Sequence, residues 1–183
     1  MNFLKTDIAG VYIIEPVVFG DHRGYFMETF RQDLFDAAVG PVSFVQENES
    51  YSRYGVVRGL HFQAEPFAQA KLVRVIRGRV WDVALDIRPG SPTFGRHIGV
   101  ELSGENHRQF FVPRGFAHGF AVLSEDAVFA YKVDNVYAPQ SERSIRFDDP
   151  ALGIAWPVPA ADRICSEKDL RAPSWHDVFP ASN

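Results

Sequence analysis

Apolar and polar residues alternate along most of this chain with a period of two, the repeat of a half-buried β-strand. Residues 11–19 carry the pattern with a break at Pro16, which a central strand does not accommodate. Residues 25–30 predict a second strand, and Gly20-Asp21-His22-Arg23-Gly24 predicts the turn before it. Residues 32–39 are the exception. There Leu34, Phe35 and Ala38 fall at helical spacing, and Gly40-Pro41 ends the helix. Further strands are predicted at 42–49, 56–63, 71–76, 79–87, 96–102, 108–112, 127–133 and 141–147, with 50–55 as a loop. The pattern joins 71–76 to 79–87 through a hairpin turn at Gly78. Beyond Asp148 the chain becomes rich in Pro and Ala. Ser166 with Asp169 three residues on has the form of a helix start, which gives Asp169 a capping role. About a dozen short strands and one convincing helix predict an all-β sandwich or barrel. No repeat, linker or break in composition divides the chain, so a single domain over 1–183 is expected.

Strand alternation also sorts the polar side chains by face. Arg58-Gly59-Leu60-His61-Phe62-Gln63 places a guanidinium and an imidazole within four positions. Histidine is the usual side chain for taking a proton near neutral pH. Strict alternation puts Arg58 and His61 on opposite faces, and Gly59 is where a bulge would re-aim one of them. Gln46 and Asn48 are two apart and share a face, as do Lys71, Val73 and Val75. A lysine on an otherwise apolar face is costly to bury unpaired, and Asp82 is a candidate partner. Arg23 and Glu28 flank the first hairpin, either as ligand contacts or as ordinary surface charges. Tyr131 is most simply a core aromatic.

Composition narrows the function classes. Hydrophobic residues make up 46% of the 183, enough for a sizeable core, and 16 Phe with 14 Gly suit a turn-rich β fold. A net charge of -4 argues against a nucleic-acid partner, so an anionic ligand would need a local basic pocket. Cys165 is the sole cysteine and has no partner for an internal disulfide. With no long apolar run and no signal-like N-terminus, a soluble cytoplasmic protein without membrane contact is expected. Dinucleotide and P-loop glycine patterns are absent, so hydride and phosphoryl transfer find no support.

Pro113-x-Gly115-x-x-His118 resembles the second motif of the cupin superfamily, whose fold is a small jelly-roll barrel. Metal-binding cupins carry His-x-His followed by Glu in their first motif. Here Gln63 stands at the second histidine position, leaving His61, Glu65 and His118 as a poor ligand set, and no metal is expected. A closer likeness runs from Phe19-Gly20-Asp21 to Lys168-Asp169. Val57-Arg58-Gly59-Leu60-His61-Phe62-Gln63, Lys71-Leu72-Val73-Arg74, Asp86-Ile87-Arg88, Ser91-Pro92-Thr93-Phe94-Gly95 and the segment 113–120 are similar to the dTDP-4-dehydrorhamnose 3,5-epimerase family, metal-free cupin enzymes of dTDP-L-rhamnose synthesis.

The resemblance implies an all-β, cupin-type jelly-roll barrel with a few short helices. It implies an isomerase that inverts C3 and C5 of a dTDP-4-keto-6-deoxyhexose, converting dTDP-4-dehydro-6-deoxy-D-glucose to dTDP-4-dehydro-L-rhamnose without a cofactor. By resemblance His61 is the base, Asp169 its dyad partner, Tyr131 the acid, and Lys71 the group beside the substrate carbonyl. Arg58, His118, Gln46 and Asn48 match substrate-binding positions. Tyr137 matches the aromatic that stacks on thymine, and Glu142 and Lys168 match further nucleotide contacts. Arg23 and Glu28 match positions that the second subunit of a homodimer contributes. The chemistry suits these residues independently. Hydrogens beside a ketone are acidic, the enolate needs a cation, and inversion needs a second proton-transfer group on the opposite face. The alternatives are an epimerase of one carbon of a related nucleotide sugar, a non-catalytic sugar-nucleotide-binding cupin, and a metal-dependent cupin dioxygenase.

Overall fold

The computed structural model describes residues 1–180. Among these residues thirteen strands are arranged in two main antiparallel sheets and one hairpin. The first sheet has six strands in the order β1 (Asn2–Lys5), β2 (Tyr12–Glu15), β10 (Gln109–Val112), β7 (Lys71–Arg77), β12 (Asp126–Val133) and β5 (Gln46–Arg53). The second has five, in the order β13 (Glu142–Ser144), β6 (Val57–Gln63), β11 (Phe116–Val122), β8 (Arg79–Asp86) and β9 (His97–Ser103). β3 (Val18–Asp21) and β4 (Gly24–Met27) pair only with each other. This is the jelly-roll barrel of the cupins, with short helices α1 (Gln32–Ala38), α2 (Glu167–Leu170) and α3 (Trp175–Val178). No helix among the described residues is long and apolar enough to cross a membrane.

Three apolar clusters follow from the strand faces. Val73 and Val75 of β7, Val80 and Ala84 of β8, Phe120 of β11 and Phe129 of β12 pack between the two sheets. Phe120 and Phe129 stack across the gap at 4.4 Å. The opposite face of the five-stranded sheet presents Val57, Leu60, Val83 and Leu85. The C-terminal segment covers it with Ile145, Phe147, Leu152, Trp156 and Val158. α1 seals the outer face of the six-stranded sheet by setting the fully buried Phe35 against Ile14, Leu72 and Phe111. Because both faces of β8 and β11 are covered, their apolar runs are nearly continuous.

Several details differ from the sequence-based expectation, among them β1, which was not anticipated, and β13, which is shorter than the strand expected at 141–147. β7 and β8 do not form a hairpin, because they belong to different sheets. Gly78 sits where the chain crosses from one sheet to the other. It has φ +80°, and a Cβ there would collide with the Asp126 carbonyl. The strand expected at 42–49 begins only at Gln46 and continues to Arg53, through residues expected to form a loop. Val42 and Phe44 pack instead on the α1 cluster, Phe44 edge-on to Phe35 at 5.5 Å. The helix start expected at Ser166 is the N-cap of α2, and with α3 it makes up the few short helices anticipated.

Candidate active site

The bulge anticipated at Gly59 is present. Between β11 and β6 the register runs His118↔His61 and then Phe120↔Arg58, so β6 carries one extra residue. Gly59 has φ +130°. A Cβ there would lie 2.6 Å from Gly119 Cα, and one on Gly119 would lie 2.6 Å from the Arg58 carbonyl. The two glycines therefore let the strands approach, and the extra residue turns both Arg58 and His61 into the barrel while Val57 and Leu60 stay on the outer face.

His61 stands at the boundary of two adjoining cavities. The outer one, about 350 Å³, is lined by Gln46, Asn48, Tyr137 and Glu142, with His61, Lys71 and Tyr131. The inner one, about 190 Å³, is lined by Ser50, Arg58, His118, Phe120 and Phe129 and shares those three residues. His61 comes from the five-stranded sheet and Tyr131 from the six-stranded one, so they face the cavity from opposite walls. Of the thirteen residues singled out in the sequence, nine line these two cavities directly.

Asp169 joins them from α2. Its Oδ1 lies 2.6 Å from His61 Nε2 and 3.4 Å from the Gly59 backbone N–H, which donates to it. Oδ2 accepts from the Ser166 hydroxyl at 2.6 Å. The capping role is also real, since Ser166 Oγ accepts from the Asp169 backbone N–H at 3.1 Å. Burial works against the Asp169 charge, but the hydrogen bonds from His61 and Ser166 outweigh it and hold the carboxyl below its ordinary range. Asp169 is therefore ionised near neutral pH and accepts, so Nε2 carries the ring hydrogen. Nδ1 is left as the basic nitrogen.

Lys71 is partly buried at the cavity floor. Burial pulls its ammonium down to about 8, opposed by the charges of Asp82 and Glu142. Asp82 is not its ion-pair partner, as the sequence suggested. Asp82, fully buried, takes His118 Nε2 at 2.8 Å, and its Oδ2 has no hydrogen-bond partner among the described residues. Its charge reaches Lys71 only through space. Desolvation raises the Tyr131 hydroxyl above its usual value, which keeps it protonated, while Asn48 and Arg58 act the other way. Arg58 Nε donates to Ser52 Oγ at 3.2 Å.

At the mouth, Glu142 Oε2 accepts from the Tyr137 hydroxyl at 2.8 Å and pairs with Lys168 Nζ at 2.6 Å. Burial opposes the Glu142 charge, but Lys168 and Tyr137 hold its carboxyl below the ordinary range. Gln63 is a residue whose role the sequence reading missed. It is buried, donates to the Phe67 and Val136 carbonyls, and accepts the Ala138 N–H at 2.7 Å, so it clamps the loop that carries Tyr137. Its place on the His61 face, two residues along, was the available signal.

Arg23 and Glu28 lie outside both cavities. Arg23 pairs with Asp21 at 2.6 Å on the β3–β4 hairpin, and Glu28 is 3.9 Å from Arg31. Glu65 lines a separate cleft beside Arg88 and Arg114, so it does not complete a metal set with His61 and His118. Among the described residues no group of three His, Cys, Asp or Glu side chains is disposed to hold a metal.

The family model described as dTDP-4-dehydrorhamnose 3,5-epimerase matches residues 5–177. The Shigella flexneri protein of that name is 53% identical over 179 residues, covering 97% of this chain and 98% of its own. The crystal structure of the dTDP-4-dehydrorhamnose 3,5-epimerase from Elizabethkingia anophelis superposes with a TM-score of 0.93 at 56% identity, over 97% of each chain. That of the dTDP-6-deoxy-D-glucose-3,5-epimerase from Legionella pneumophila, in complex with dTDP-4-keto-L-rhamnose, does so at 0.91 and 50%, over 94% of this chain and 92% of that one.

Proposed function

The chain belongs to the dTDP-4-dehydrorhamnose 3,5-epimerase family, and we propose that His61, Asp169, Lys71 and Tyr131 carry its reaction. It is an isomerase. It epimerises dTDP-4-dehydro-6-deoxy-D-glucose at C3 and C5 to dTDP-4-dehydro-L-rhamnose. The observation that supports the residue assignment is the 2.6 Å His61–Asp169 contact on one wall, facing Tyr131 on the other.

His61 Nδ1 removes the hydrogen from a carbon beside the 4-keto group, and Asp169 stabilises the imidazolium that forms. The electron pair moves onto the ketone oxygen, where Lys71 and Arg58 meet the negative charge. Tyr131 then protonates the same carbon from the opposite wall, which inverts the centre. Its raised pKa favours the neutral phenol that this step needs. Gln46, Asn48 and His118 hold the sugar. Tyr137 stacks on the thymine, and Lys168 meets the nucleotide once released from Glu142.

The protein acts as a homodimer in the cytoplasm. The β3–β4 hairpin supports the assembly: Phe19, Tyr25 and Phe26 are 63%, 60% and 71% exposed, an apolar patch of the kind that marks an interface. Arg23 and Glu28, on this hairpin and just beyond it, would then reach the nucleotide in the second subunit's cavity.

The deciding experiment is an NMR time course in heavy water with dTDP-4-keto-6-deoxy-D-glucose. The wild type should exchange and invert C3 and C5, and His61→Asn should do neither. Tyr131→Phe should exchange with little inversion. Inversion of both carbons by Tyr131→Phe at the wild-type rate would remove Tyr131 from the mechanism.

A further inference from the structure

Residues 134–138 leave β12 without regular structure, and Tyr137 among them is 54% exposed. Yet the backbone of Tyr137 is held on both sides by one buried side chain. Gln63 Nε2 donates at 3.2 Å to the Val136 carbonyl, which belongs to the peptide group before Tyr137. Gln63 Oε1 accepts at 2.7 Å from the Ala138 N–H, which belongs to the peptide group after it. The relative orientation of those two planes is the φ and ψ of Tyr137, the only soft torsions its backbone has. The other hydrogen on Nε2 goes to the Phe67 carbonyl at 2.7 Å. The amide thus uses both of its donors and its oxygen on backbone groups.

The anchor is itself fixed. Gln63 is 7% exposed and ends β6, where it pairs across the ladder with Glu142 of β13. The loop after β6 is tied to the same irregular segment, since Gln69 Nε2 donates to the Asn135 carbonyl and Asp134 Oδ1 accepts the Ala70 N–H, each at 2.7 Å. The Tyr137 hydroxyl donates to Glu142 Oε2 at 2.8 Å. Two cross-strand neighbours therefore hold the ring, Gln63 at its root and Glu142 at its tip. A ring on a loose loop would lose conformational freedom when a base stacked on it, and that loss would weaken binding. We propose that Gln63 is a positioning residue for the nucleotide, which sets the Tyr137 ring in place before the base arrives. This rests on the reading of Tyr137 as the stacking residue and adds the group that aims it.

A double-mutant cycle on dTDP affinity, read by calorimetric titration, tests this. Gln63→Met keeps the length of the side chain and removes the amide. It should weaken dTDP at least about tenfold and raise KM alike. Turnover at saturation should stay within about threefold, because the amide makes no bond to His61, Lys71 or Tyr131. With Tyr137→Ala already in place, the same change should cost less than about threefold, since no ring is left to aim. Equal losses in the two backgrounds, or wild-type affinity in Gln63→Met, overturn the proposal. The wild type supplies a second measurement that needs no substitution. Its Ala138 amide should exchange slowly with heavy water before any nucleotide is added, and exchange as fast as an open chain's would show that the ring is not set in advance. Failure of the parent reading looks different: Tyr137→Ala would then bind dTDP as tightly as the wild type.

Discussion

Replacing Asp169 by asparagine isolates the charge in the His61 dyad from its shape. Asparagine keeps an oxygen to accept from His61 Nε2 and from the Gly59 N–H. The α2 cap survives because it uses the Asp169 backbone N–H. What disappears is the attraction between a carboxylate and the imidazolium that forms during turnover. At 2.6 Å, that attraction is about 1.6 kcal/mol under full water screening and about 6 kcal/mol at an effective dielectric near 20. The side chains are 29% and 5% exposed, which places the pair between these limits. A value of about 3–4 kcal/mol corresponds to a loss of roughly 10²–10³-fold, below the ~10⁴ seen when the carboxylate of a hydrolase triad is replaced in the same way. The assay is deuterium wash-in at C3 and C5 under saturating substrate. Both positions should slow together, and the ratio of inversion to exchange should stay at its wild-type value, because Tyr131 is untouched. A loss under about threefold would mean that Asp169 serves only the cap. A selective loss of inversion would mean that the dyad is not the base.

The acid side has a definite sign. Asp169 has a depressed carboxyl pKa in the folded state, so the stability it contributes is present above the unfolded value and is lost as pH falls through the folded one. Denaturant midpoints of wild type and Asp169→Asn should therefore converge on acidification, and a constant gap would contradict the assignment. For Lys71, kcat should decline above about pH 8 as the ammonium loses its proton, with Lys71→Arg moving that limb to higher pH. Its folded pKa lies below the ordinary lysine value of 10.5, so the burial penalty is full below about 8 and relieved as pH rises from there towards the ordinary value. A flat alkaline profile would exclude it. Tyr137→Ala should raise KM roughly tenfold or more with little change in kcat, since stacking acts alike on ground and transition states, and an unchanged KM would remove it from the site. Phe26→Asp should shift the protein towards monomer by light scattering and cost activity with it. A fully active monomer would refute the homodimer.

The barrel was legible in the sequence because both faces of its central strands are apolar and its turns carry Gly and Pro. β5 was misplaced because its sequence, Gln46-Glu47-Asn48-Glu49-Ser50-Tyr51-Ser52-Arg53, is polar throughout. Its inward residues Gln46, Asn48 and Ser50 line the two cavities, so the usual strand signature is missing there. The Gly78 turn looks the same in sequence whether it closes a hairpin or passes between sheets, and only the long-range pairing decides. Arg58 and His61 could be brought together from sequence only through the glycine between them. Asp82 was noticed but given the wrong partner, because which buried side chain it meets depends on the diagonal neighbour across β8 and β11. The resemblance supplied Asp169, which local pattern alone marks as a helix cap. The structure shows both contacts, the cap through the backbone N–H and the approach to His61 through the side chain.

Asp169 lies 108 residues after His61, in the segment that folds back over the outer face of the five-stranded sheet. During synthesis every barrel strand leaves the ribosome before the carboxylate that completes the dyad. A chain cut between β13 and α2 would lose Asp169 and Lys168, and with them much of the apolar cover that Phe147, Leu152, Trp156 and Val158 lay over the five-stranded sheet. If Asp169 serves the base as proposed, turnover is a sign that the later-made part of the chain has docked.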